Sequence, residues 1–461
     1  MPTRIRRNGI DFGYTKSMGI GNYDATASTI NANSPFPYRN KIVNGEFLID
    51  QRNAGNVSYY NTANTVQYTA DRWALLCSQS RKISAQVVND GPLSEDQRPY
   101  EQTSTSTGYW DNSANVYCWS PKNFTKCIEL KSESNYSPAA AGDYYYFMQK
   151  IEGNFIRDAK FGRTQGNPAK RYLLFSCWLK TNIAYPANID VFISNDFTNQ
   201  TSASARRFYR WTISAYEPVL PARGWVRVWK YIPIDGDQGS TLWYDDYRTG
   251  LQLVFVLGAG SNYRSAASTY PNDAWHTTPS GGLVQLSNNL TSPSIDMATN
   301  VNNYLRITGV SLEYVDIVDT FDDTFPASYE RRDYGLELAL CHRYYQKSYS
   351  TNTRPGTSGA EGYIYFRDHA YSVEHRYLPW RYNNGPLRST PIIRYYGYSG
   401  TINAGYNGTV GDVTGVVSNS GHNNEHSAMF YFSSANGNSS TPVLGSYLDT
   451  LFHWTADAEL Y

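Results

Sequence analysis

The 461-residue sequence has few charged residues and no excess of either sign. Charged residues make up 17% of the chain, and 40 basic residues balance 40 acidic ones. An average globular protein is roughly 25% charged. A net charge of zero gives no general attraction to a phosphate backbone, which argues against nucleic-acid binding. It also gives no solubility through self-repulsion, so we expect the protein to work within an assembly.

Cysteines are few, and their spacing does not suit a disulfide framework. There are five, an odd number, and no two have the C-x-x-C spacing. Disulfide-stabilised domains carry denser and usually even sets. We therefore expect buried free thiols in a chain that folds in a reducing cytoplasm. They are Cys77, Cys118, Cys127, Cys177 and Cys341.

Long hydrophobic runs are also lacking. The longest apolar stretch, 251–260, is far shorter than the roughly 20 residues of a membrane-spanning helix. The N-terminal segment carries arginines without a following apolar core, so no secretory signal peptide is predicted. These patterns predict a protein with no membrane insertion.

Tyrosine is the abundant residue. The chain has 41 Tyr, 18 Phe and 11 Trp, and aromatics reach 15%. Aromatic residues favour strands, whereas the abundant Gly, Asn and Ser favour turns. The composition therefore predicts an all-β protein.

Strand-length segments follow one another from residue 41 to residue 318. Arg171–Thr181 and Tyr304–Asp316 are the longest of them. About ten such strands suit a jelly-roll β-sandwich with decorated loops. Near its start, Asn44-Gly45 predicts a hairpin turn.

The rest of the chain divides around this segment. Residues 1–40 are polar and Gly/Asn/Ser-rich, typical of a disordered tail or of an extended arm that docks on a partner. Residues 319–348 read as a linker and one short helix over Gly335–Ser348. Residues 349–461 return to a β pattern and predict a second, smaller β domain. The apolar helix face is Leu336, Leu340 and Tyr344, with Ala339 beside it.

Five segments stand in order along the chain: KIVNGEFLIDQRNAG, YTADRW, YLRITGVSLEYVD, YERRDYGLELALCHRYYQKS and LPWRYNNGPLRSTPIIRYYG. Together they resemble segments of phage tail-fibre and head-fibre type virion appendage proteins. The resemblance covers roughly residues 41–400. The segment at 329–348 is its most specific part, because it resembles the family's Glu-Arg linker and "ELALC-RYY" helix.

The resemblance implies a carbohydrate-binding-like jelly roll in a virion appendage, assembled in the host cytoplasm. Such proteins are often trimers with an N-terminal virion anchor. This chain departs from the pattern by inserting IVDTFDDTFPAS before the linker, and its arm matches no known segment. The anchor candidates are Arg4, Arg6, Arg7, Phe12 and Tyr14.

Tryptophans in polar loops are the candidates for sugar contact. A sugar can stack on an aromatic ring while its hydroxyls bind neighbouring polar side chains. The same tryptophans suit a subunit interface or the core equally well, and all three roles stay open. The candidates are Trp110, Asp111, Trp243, Tyr244, Asp245, Tyr247 and Trp275.

Metal-site patterns are weak. Asp235 and Asp237 alternate with glycine as in calcium loops, but the full pattern is missing and a β-turn is favoured. His422, Glu425 and His426 fit H-x-x-E-H. Their flanks predict a turn before a strand instead of the helix that such chemistry needs. We expect no cofactor, apart from an optional structural calcium.

Catalytic patterns are weaker still. Asp245-Asp246 and Asp322-Asp323 are adjacent carboxylates, which point to opposite faces in a strand and form no obvious glycosidase pair. Nucleophile elbows, phosphate loops and short-period β-helix repeats are missing from the sequence. A glycan depolymerase is therefore the least favoured reading.

The sequence as a whole predicts a non-enzymatic phage structural protein, a tail fibre or appendage that recognises a host-surface glycan. The alternative is an architectural head or collar fibre, or a tail adaptor, without a glycan site. Expected partners are other virion proteins through the arm, further copies of this chain in a trimer, and host polysaccharide.

The strip Arg394–Tyr398 has an alternating pattern, with Tyr396 and Tyr398 on one face and Tyr395 on the other. Neither face is assigned a ligand.

Overall fold

The structure is a computed structural model with side chains. It describes residues 4–6, 9–11, 39–92, 116–117, 124–134, 140–162, 171–183, 188–195, 207–214, 225–236, 243–265, 272–277, 286–287, 297, 300–316, 329–369, 376–407, 411–414, 417–419, 423–432 and 447–461.

The first two thirds of the described chain consist mainly of antiparallel strands. In chain order they are β1 (Arg4–Arg6), β2 (Gly9–Asp11), β3 (Ser58–Tyr59), β4 (Gln67–Tyr68), β5 (Ala74–Cys77), β6 (Ile83–Val88), β7 (Val116–Tyr117), β8 (Cys127–Ser132), β9 (Tyr144–Glu152), β10 (Arg171–Thr181), β11 (Asn188–Ser194), β12 (Arg207–Ser214), β13 (Val226–Pro233), β14 (Thr249–Ala259), β15 (Arg264–Ser265), β16 (Trp275–Thr277), β17 (Leu286–Ser287) and β18 (Tyr304–Asp316). A short helix α1 (Gly153–Ile156) follows β9.

Eight of these strands form a jelly roll. One sheet has the order β3-β6-β8-β18-β10-β13-β7, and the other has β16-β12-β11-β14-β9-β5-β4. If β8 to β14 and β18 are counted one to eight along the chain, leaving out the flanking strands, the two sheets read 1-8-3-6 and 2-7-4-5. This order of two interleaved Greek keys defines the jelly roll. The predicted fold class is confirmed.

The core lies between the two sheets. Along β10, Leu173, Phe175 and Cys177 point inward at every second position, as the period of a strand requires. Trp73 lies at one end of the core and stacks on Phe147, with ring centroids 5.0 Å apart. Strand β14 is buried along its whole length, because its outer side is covered as well.

A β-bulge in β18 keeps the inward pattern intact. The pairing with β10 shifts between Ser176 and Trp178. Gly309 at this point has φ +58°, a conformation that glycine adopts easily. A side chain there would also meet the ring of Phe124 at 2.6 Å. The bulge lets Ile307 and Val310 both face the core.

The predicted hairpin at Asn44-Gly45 is wrong. Residues 41–50 form a buried irregular segment without a strand. The side chain of Asn44 takes the place of a sheet partner, because it accepts from the backbone N–H of Ile49 and donates to the carbonyl of the same residue. A Cβ on Gly45 would lie 2.2 Å from the carbonyl oxygen of Val310. The segment is held by this close packing on β18.

The described part of the predicted N-terminal arm is a hairpin, not one extended stretch. Strands β1 and β2 pair antiparallel, with Ile5 opposite Ile10. Only the backbone is described at Arg4 and Arg6. The other anchor candidates, Arg7, Phe12 and Tyr14, lie outside the described residues.

The predicted helix over Gly335–Ser348 is shorter than expected. Helix α2 (Tyr334–His342) ends before Tyr344, because the chain turns into a strand that pairs with the C-terminal region. The predicted apolar face is right only in part: Leu340 packs against a small buried cluster and Tyr344 is buried beyond the end of the helix. The buried helix positions are Glu337 and Cys341, whereas Ala339 is exposed.

Burial of Glu337 is possible because of the linker before the helix. Arg332 forms an ion pair with Glu337 at 3.1 Å and donates to the carbonyl of Ile42. Glu330 accepts from the backbone N–H of Asn40. The Glu-Arg linker therefore fastens the helix to the jelly roll.

The C-terminal third forms a second, smaller β unit. It comprises β19 (Tyr345–Lys347), β20 (Ile364–His369), β21 (Arg376–Arg381), β22 (Ile392–Gly397), β23 (Ala404–Asn407), β24 (Gly411–Thr414), β25 (Val417–Asn419), β26 (Ser427–Phe432) and β27 (Tyr447–Asp457). Strand β27 pairs with β19, β20, β22 and β23, and a separate sheet has the order β21-β26-β25. Because β19 joins this unit, its first strand lies within the predicted 319–348 segment. Phe430, Phe452 and Trp454 form the core between the two sheets.

Buried ion pairs join the jelly roll to the C-terminal unit. Arg72 is paired with Glu459, and Arg52 with Asp457 at 2.7 Å. Arg72 also lies over the ring of Tyr344, 3.5 Å from its centroid. Removing one partner of a buried pair costs about 3–5 kcal/mol, because the other charge is left buried. We call this junction the seam.

Four of the five cysteines are described, and all four are buried free thiols, as predicted: Cys77, Cys127, Cys177 and Cys341. Cys118 lies outside the described residues. Among the described helices, none is long and apolar enough to cross a membrane.

Candidate functional site

The loop 243–248, which leads into β14, carries most of the sequence-predicted sugar contacts. It packs against the start of α1, where a Cβ on Gly153 would lie 2.1 Å from the carbonyl oxygen of Tyr244. Glycine is needed here because the two backbones touch. The loop is therefore held firmly on the jelly roll.

Trp243 is a core residue. It is 4% exposed and stacks on Phe161, with ring centroids 4.3 Å apart. Trp275 meets it edge-on at 5.4 Å and donates its indole N–H to the carbonyl of Pro233 at 2.6 Å. Of the three roles left open for these tryptophans, the structure supports the core for both. Trp243 is too buried to stack on a sugar, whereas Trp275 is half-buried and packs against the core with its indole N–H already used.

The polar residues of the same loop bind one another. Arg248 lies 3.6 Å over the ring of Tyr244 and forms an ion pair with Asp246 at 2.7 Å. The hydrogen bond from Arg248 lowers the pKa of Asp246 below its usual value. The carbonyl of Asp245 accepts from Arg157, and Tyr247 is 59% exposed. The loop is thus an internally paired surface with one free ring.

The calcium hypothesis is not supported at Asp235. Both of its carboxylate oxygens accept from Arg207, at 2.8 and 2.9 Å. A guanidinium occupies the position that a cation would need. Asp237 lies outside the described residues, and within the described ranges no three His, Cys, Asp or Glu side chains cluster as metal ligands.

The remaining sequence candidates form no site among the described residues. Glu425 and His426 precede strand β26 in a bend, as predicted, with 3.9 Å between Oε1 and Nε2. His422 and the pair Asp322-Asp323 lie outside the described residues, as do Trp110 and Asp111.

The structure instead reveals a groove of about 370 Å³ along the seam. We call it the seam groove. It runs between the sheet edges formed by β3 and β4 and the outer face of β22 and β27. Its lining residues are Arg52, Asn53, Val57, Ser58, Tyr59, Asn61, Gln67, Tyr68, Tyr345, Arg354, Pro355, Ile392, Arg394, Tyr396, Thr455, Asp457 and Tyr461.

One wall of the seam groove comes from the jelly roll. Tyr59 is 45% exposed on the edge strand β3. Gln67 holds this edge in place, because it donates to the carbonyl of Tyr59 at 2.7 Å and accepts from the backbone N–H of Asn61. The tyrosine ring is thus presented on a fixed backbone.

The other wall comes from the C-terminal unit. On β22, Ile392, Arg394 and Tyr396 alternate toward the groove, paired with Asp457, Thr455 and His453 of β27. Tyr395 lies on the opposite face and packs against the core. The alternation predicted for this strip is confirmed for Tyr395 and Tyr396. At the far end of the chain, Tyr461 is 49% exposed.

The floor of the seam groove is Arg52. Its guanidinium lies over the rings of Tyr68 and Tyr345, 5.1 and 4.0 Å from their centroids. Burial alone would lower the pKa of Arg52, but the carboxylates of Asp457 and Glu459 outweigh it and hold the pKa well above its usual value. The charge of Arg52 is therefore fixed and already compensated.

Two further arginines, Arg354 and Arg394, reach the groove. Arg354 and Arg394 are exposed, and no carboxylate pairs with either guanidinium in the part of the chain that the structure describes. The groove therefore offers aromatic rings, amide and hydroxyl groups and two available cations. Such a mixture suits a polar ligand with apolar faces.

Sequence reasoning missed most of this groove. Tyr59, Arg354 and Tyr461 stand in unremarkable contexts, far apart along the chain. The one available signal was the Arg394–Tyr398 strip, whose alternation marks an outward face without naming what lies opposite. The pairing of Arg52 with Asp457, 405 residues later, could not be read from a single sequence.

Comparisons with known proteins give no family for this chain. No protein-family model matches it, and no curated protein does.

Several solved structures are similar in fold at low identity. One is the enzymatically active domain of tailspike protein 4 of bacteriophage CBA120, with 11% identity, 60% of this chain covered and a TM-score of 0.25. The match spans 22% of that domain. Another is the N-terminal CBM22-1–CBM22-2 tandem domain of Xyn10C from Paenibacillus barcinonensis, with 8% identity, coverage of 87% and 92%, and a TM-score of 0.19.

A third similar structure is SGBP-B from a complex xyloglucan utilization locus in Bacteroides uniformis. It has 9% identity, coverage of 60% and 72%, and a TM-score of 0.19. These neighbours thus include a phage tailspike and carbohydrate-binding modules. At TM-scores of 0.19–0.25 they carry no argument about the fold or the ligand of this chain.

Proposed function

We propose that this protein is a non-enzymatic virion appendage that recognises a host-surface glycan through the seam groove. The observation that carries the proposal is the groove itself. It exposes Tyr59 and Tyr461 beside hydrogen-bonding groups, on a backbone fixed by buried ion pairs. Aromatic faces with adjacent polar groups are what saccharide recognition needs.

The place on a phage particle rests on the sequence resemblance to tail-fibre and head-fibre type proteins. The jelly roll and the helix α2 after it occur in the order that the resemblance implies. In this proposal the chain is assembled as a homotrimer, with the N-terminal arm on other virion proteins. Repetition of a weak site in a trimer raises the overall affinity for a surface polymer.

Absence of catalysis is part of the proposal. Asp457 in the seam groove is paired with Arg52, and Asp246 on the loop 243–248 is paired with Arg248. A glycosidase needs two carboxyl groups flanking the scissile bond. Incubation with each bound polysaccharide should release no reducing sugar.

The test is binding of the full-length chain to an array of bacterial surface polysaccharides. We expect saturable binding that falls about tenfold or more in Tyr59→Ala and in Tyr396→Ala, because each removes an aromatic wall of the groove. Tyr247→Ala is the matched control, an exposed tyrosine on the loop 243–248. Absence of binding by folded protein, or equal losses in all three variants, would favour the architectural alternative.

A further inference from the structure

We propose that the seam groove selects acidic glycans, which carry carboxylate or phosphate groups. This inference rests on the proposed function and names the class of glycan that the same groove takes.

Two arginines with accessible guanidinium groups reach the seam groove from different parts of the C-terminal unit. Arg354 comes from the turn region after β19, and Arg394 from the middle of β22. Both reach the same groove. Arg52 between them is already bound to Asp457 and Glu459. The groove therefore has one internal, compensated arginine and two that face the ligand space.

The planar fork of a guanidinium matches a carboxylate or a phosphate with two parallel hydrogen bonds. Such charge-assisted bonds are about twice as strong as hydrogen bonds between neutral groups. A neutral sugar would accept hydrogen bonds from Arg354 and Arg394 but leave both charges uncompensated. Asp457 is the only carboxylate side chain among the described lining residues, and Arg52 is paired with it.

Two classes of acidic polymer, a polysaccharide and a peptide, would bind a pair of arginines. The exposed rings of Tyr59 and Tyr461 favour a saccharide, because a pyranose presents apolar faces to stack on tyrosine while its ring substituents reach the cations. Polyglutamate binding is therefore an outcome of the test.

The experiment uses the full-length chain and probes matched in backbone. Polygalacturonate is compared with its methyl ester, which has the same sugar without the charge. Dextran phosphate supplies the phosphate arm, and unmodified dextran is its neutral reference. The variants are Arg354→Gln, Arg394→Gln and the double change, with Arg381→Gln as an exposed control arginine on β21, outside the groove.

We expect acidic probes to bind about tenfold more tightly than neutral ones, each groove substitution to reduce this preference about threefold, and the double change to abolish it. Added salt should weaken the acidic probes and leave neutral binding unchanged. The anion is identified by comparing the preference for polygalacturonate over its methyl ester with the preference for dextran phosphate over dextran.

The outcomes separate the two proposals. If neutral and acidic glycans bind equally and Tyr59→Ala abolishes both, the groove recognises glycans but the acidic selection is refuted. If no glycan binds, the proposed function itself fails. If polyglutamate binds as tightly as the acidic polysaccharides, or Arg381→Gln has the same effect as Arg394→Gln, the inference is overturned.

Discussion

The loop 243–248 and the seam groove use the same residue types with opposite results. In the loop, Arg248 is paired with Asp246 and Trp243 is buried. In the groove, Arg394 has no carboxylate partner among the described residues, and Tyr59 is 45% exposed. Composition alone made the loop look like the binding site. A binding surface differs from a structural one in whether its charged groups and aromatic rings remain accessible to a ligand. That accessibility depends on neighbours that are distant in the sequence.

The largest expected difference between the loop 243–248 and the seam groove is in the stability lost when an aromatic ring is removed from each. Trp243→Ala should reduce the free energy of unfolding by about 3–5 kcal/mol, because it removes a buried ring that packs on Phe161. Tyr59→Ala should cost less than about 1 kcal/mol, since the ring is 45% exposed. Denaturant titration of both variants measures the two losses.

A Trp243→Phe variant serves as the control in that titration. The indole N–H of Trp243 is buried without a partner in the described chain, so its loss removes no hydrogen bond. We expect most of the stability to return. If Tyr59→Ala proved as costly as Trp243→Ala, the groove wall would be a structural element instead of a ligand surface.

A smaller effect, on the pH dependence of stability, is expected from His453, which supports one side of the groove. Its ring stacks on Tyr349 at 3.7 Å, and Tyr349 contacts Tyr396. Burial lowers the pKa of His453 to about 4. The unfolded chain therefore takes up a proton at a higher pH than the folded one, and stability should fall as pH drops from about 6.5 to about 4.

The slope from this single proton is at most about 1.4 kcal/mol per pH unit. It should disappear in His453→Gln, measured as the difference in unfolding free energy from wild type across that pH range. His426→Gln is the matched control, because His426 is exposed. A pH slope unchanged by His453→Gln would show that carboxylates account for the acid loss.

The smallest effect is expected at Tyr247. Although it is the most exposed ring of the loop 243–248, its side chain supports no described contact that the fold needs. Tyr247→Ala should change the free energy of unfolding by no more than about 0.5 kcal/mol. Glycan binding by this variant should match that of the wild type. A large loss of binding would indicate that the loop 243–248 contacts the glycan.

The strands were predictable because their patterns are local. Arg171–Thr181 and Tyr304–Asp316 were predicted with the bounds that the structure shows. Helix α2 was overextended because Tyr344 continues its apolar spacing, whereas pairing with β27 turns Tyr345 into a strand. The seam groove was beyond prediction, since its walls come from edges whose opposition depends on tertiary packing.

Strand β27 also has a consequence for the order of synthesis. Its partners β19, β20, β22 and β23 all precede it in the chain. A nascent chain that has left the ribosome only as far as residue 446 carries these strands without the one that pairs them. Their open edges are available to neighbouring chains during that interval. Because Asp457 and Glu459 then also reach Arg52 and Arg72, sheet and seam groove are completed in the same step.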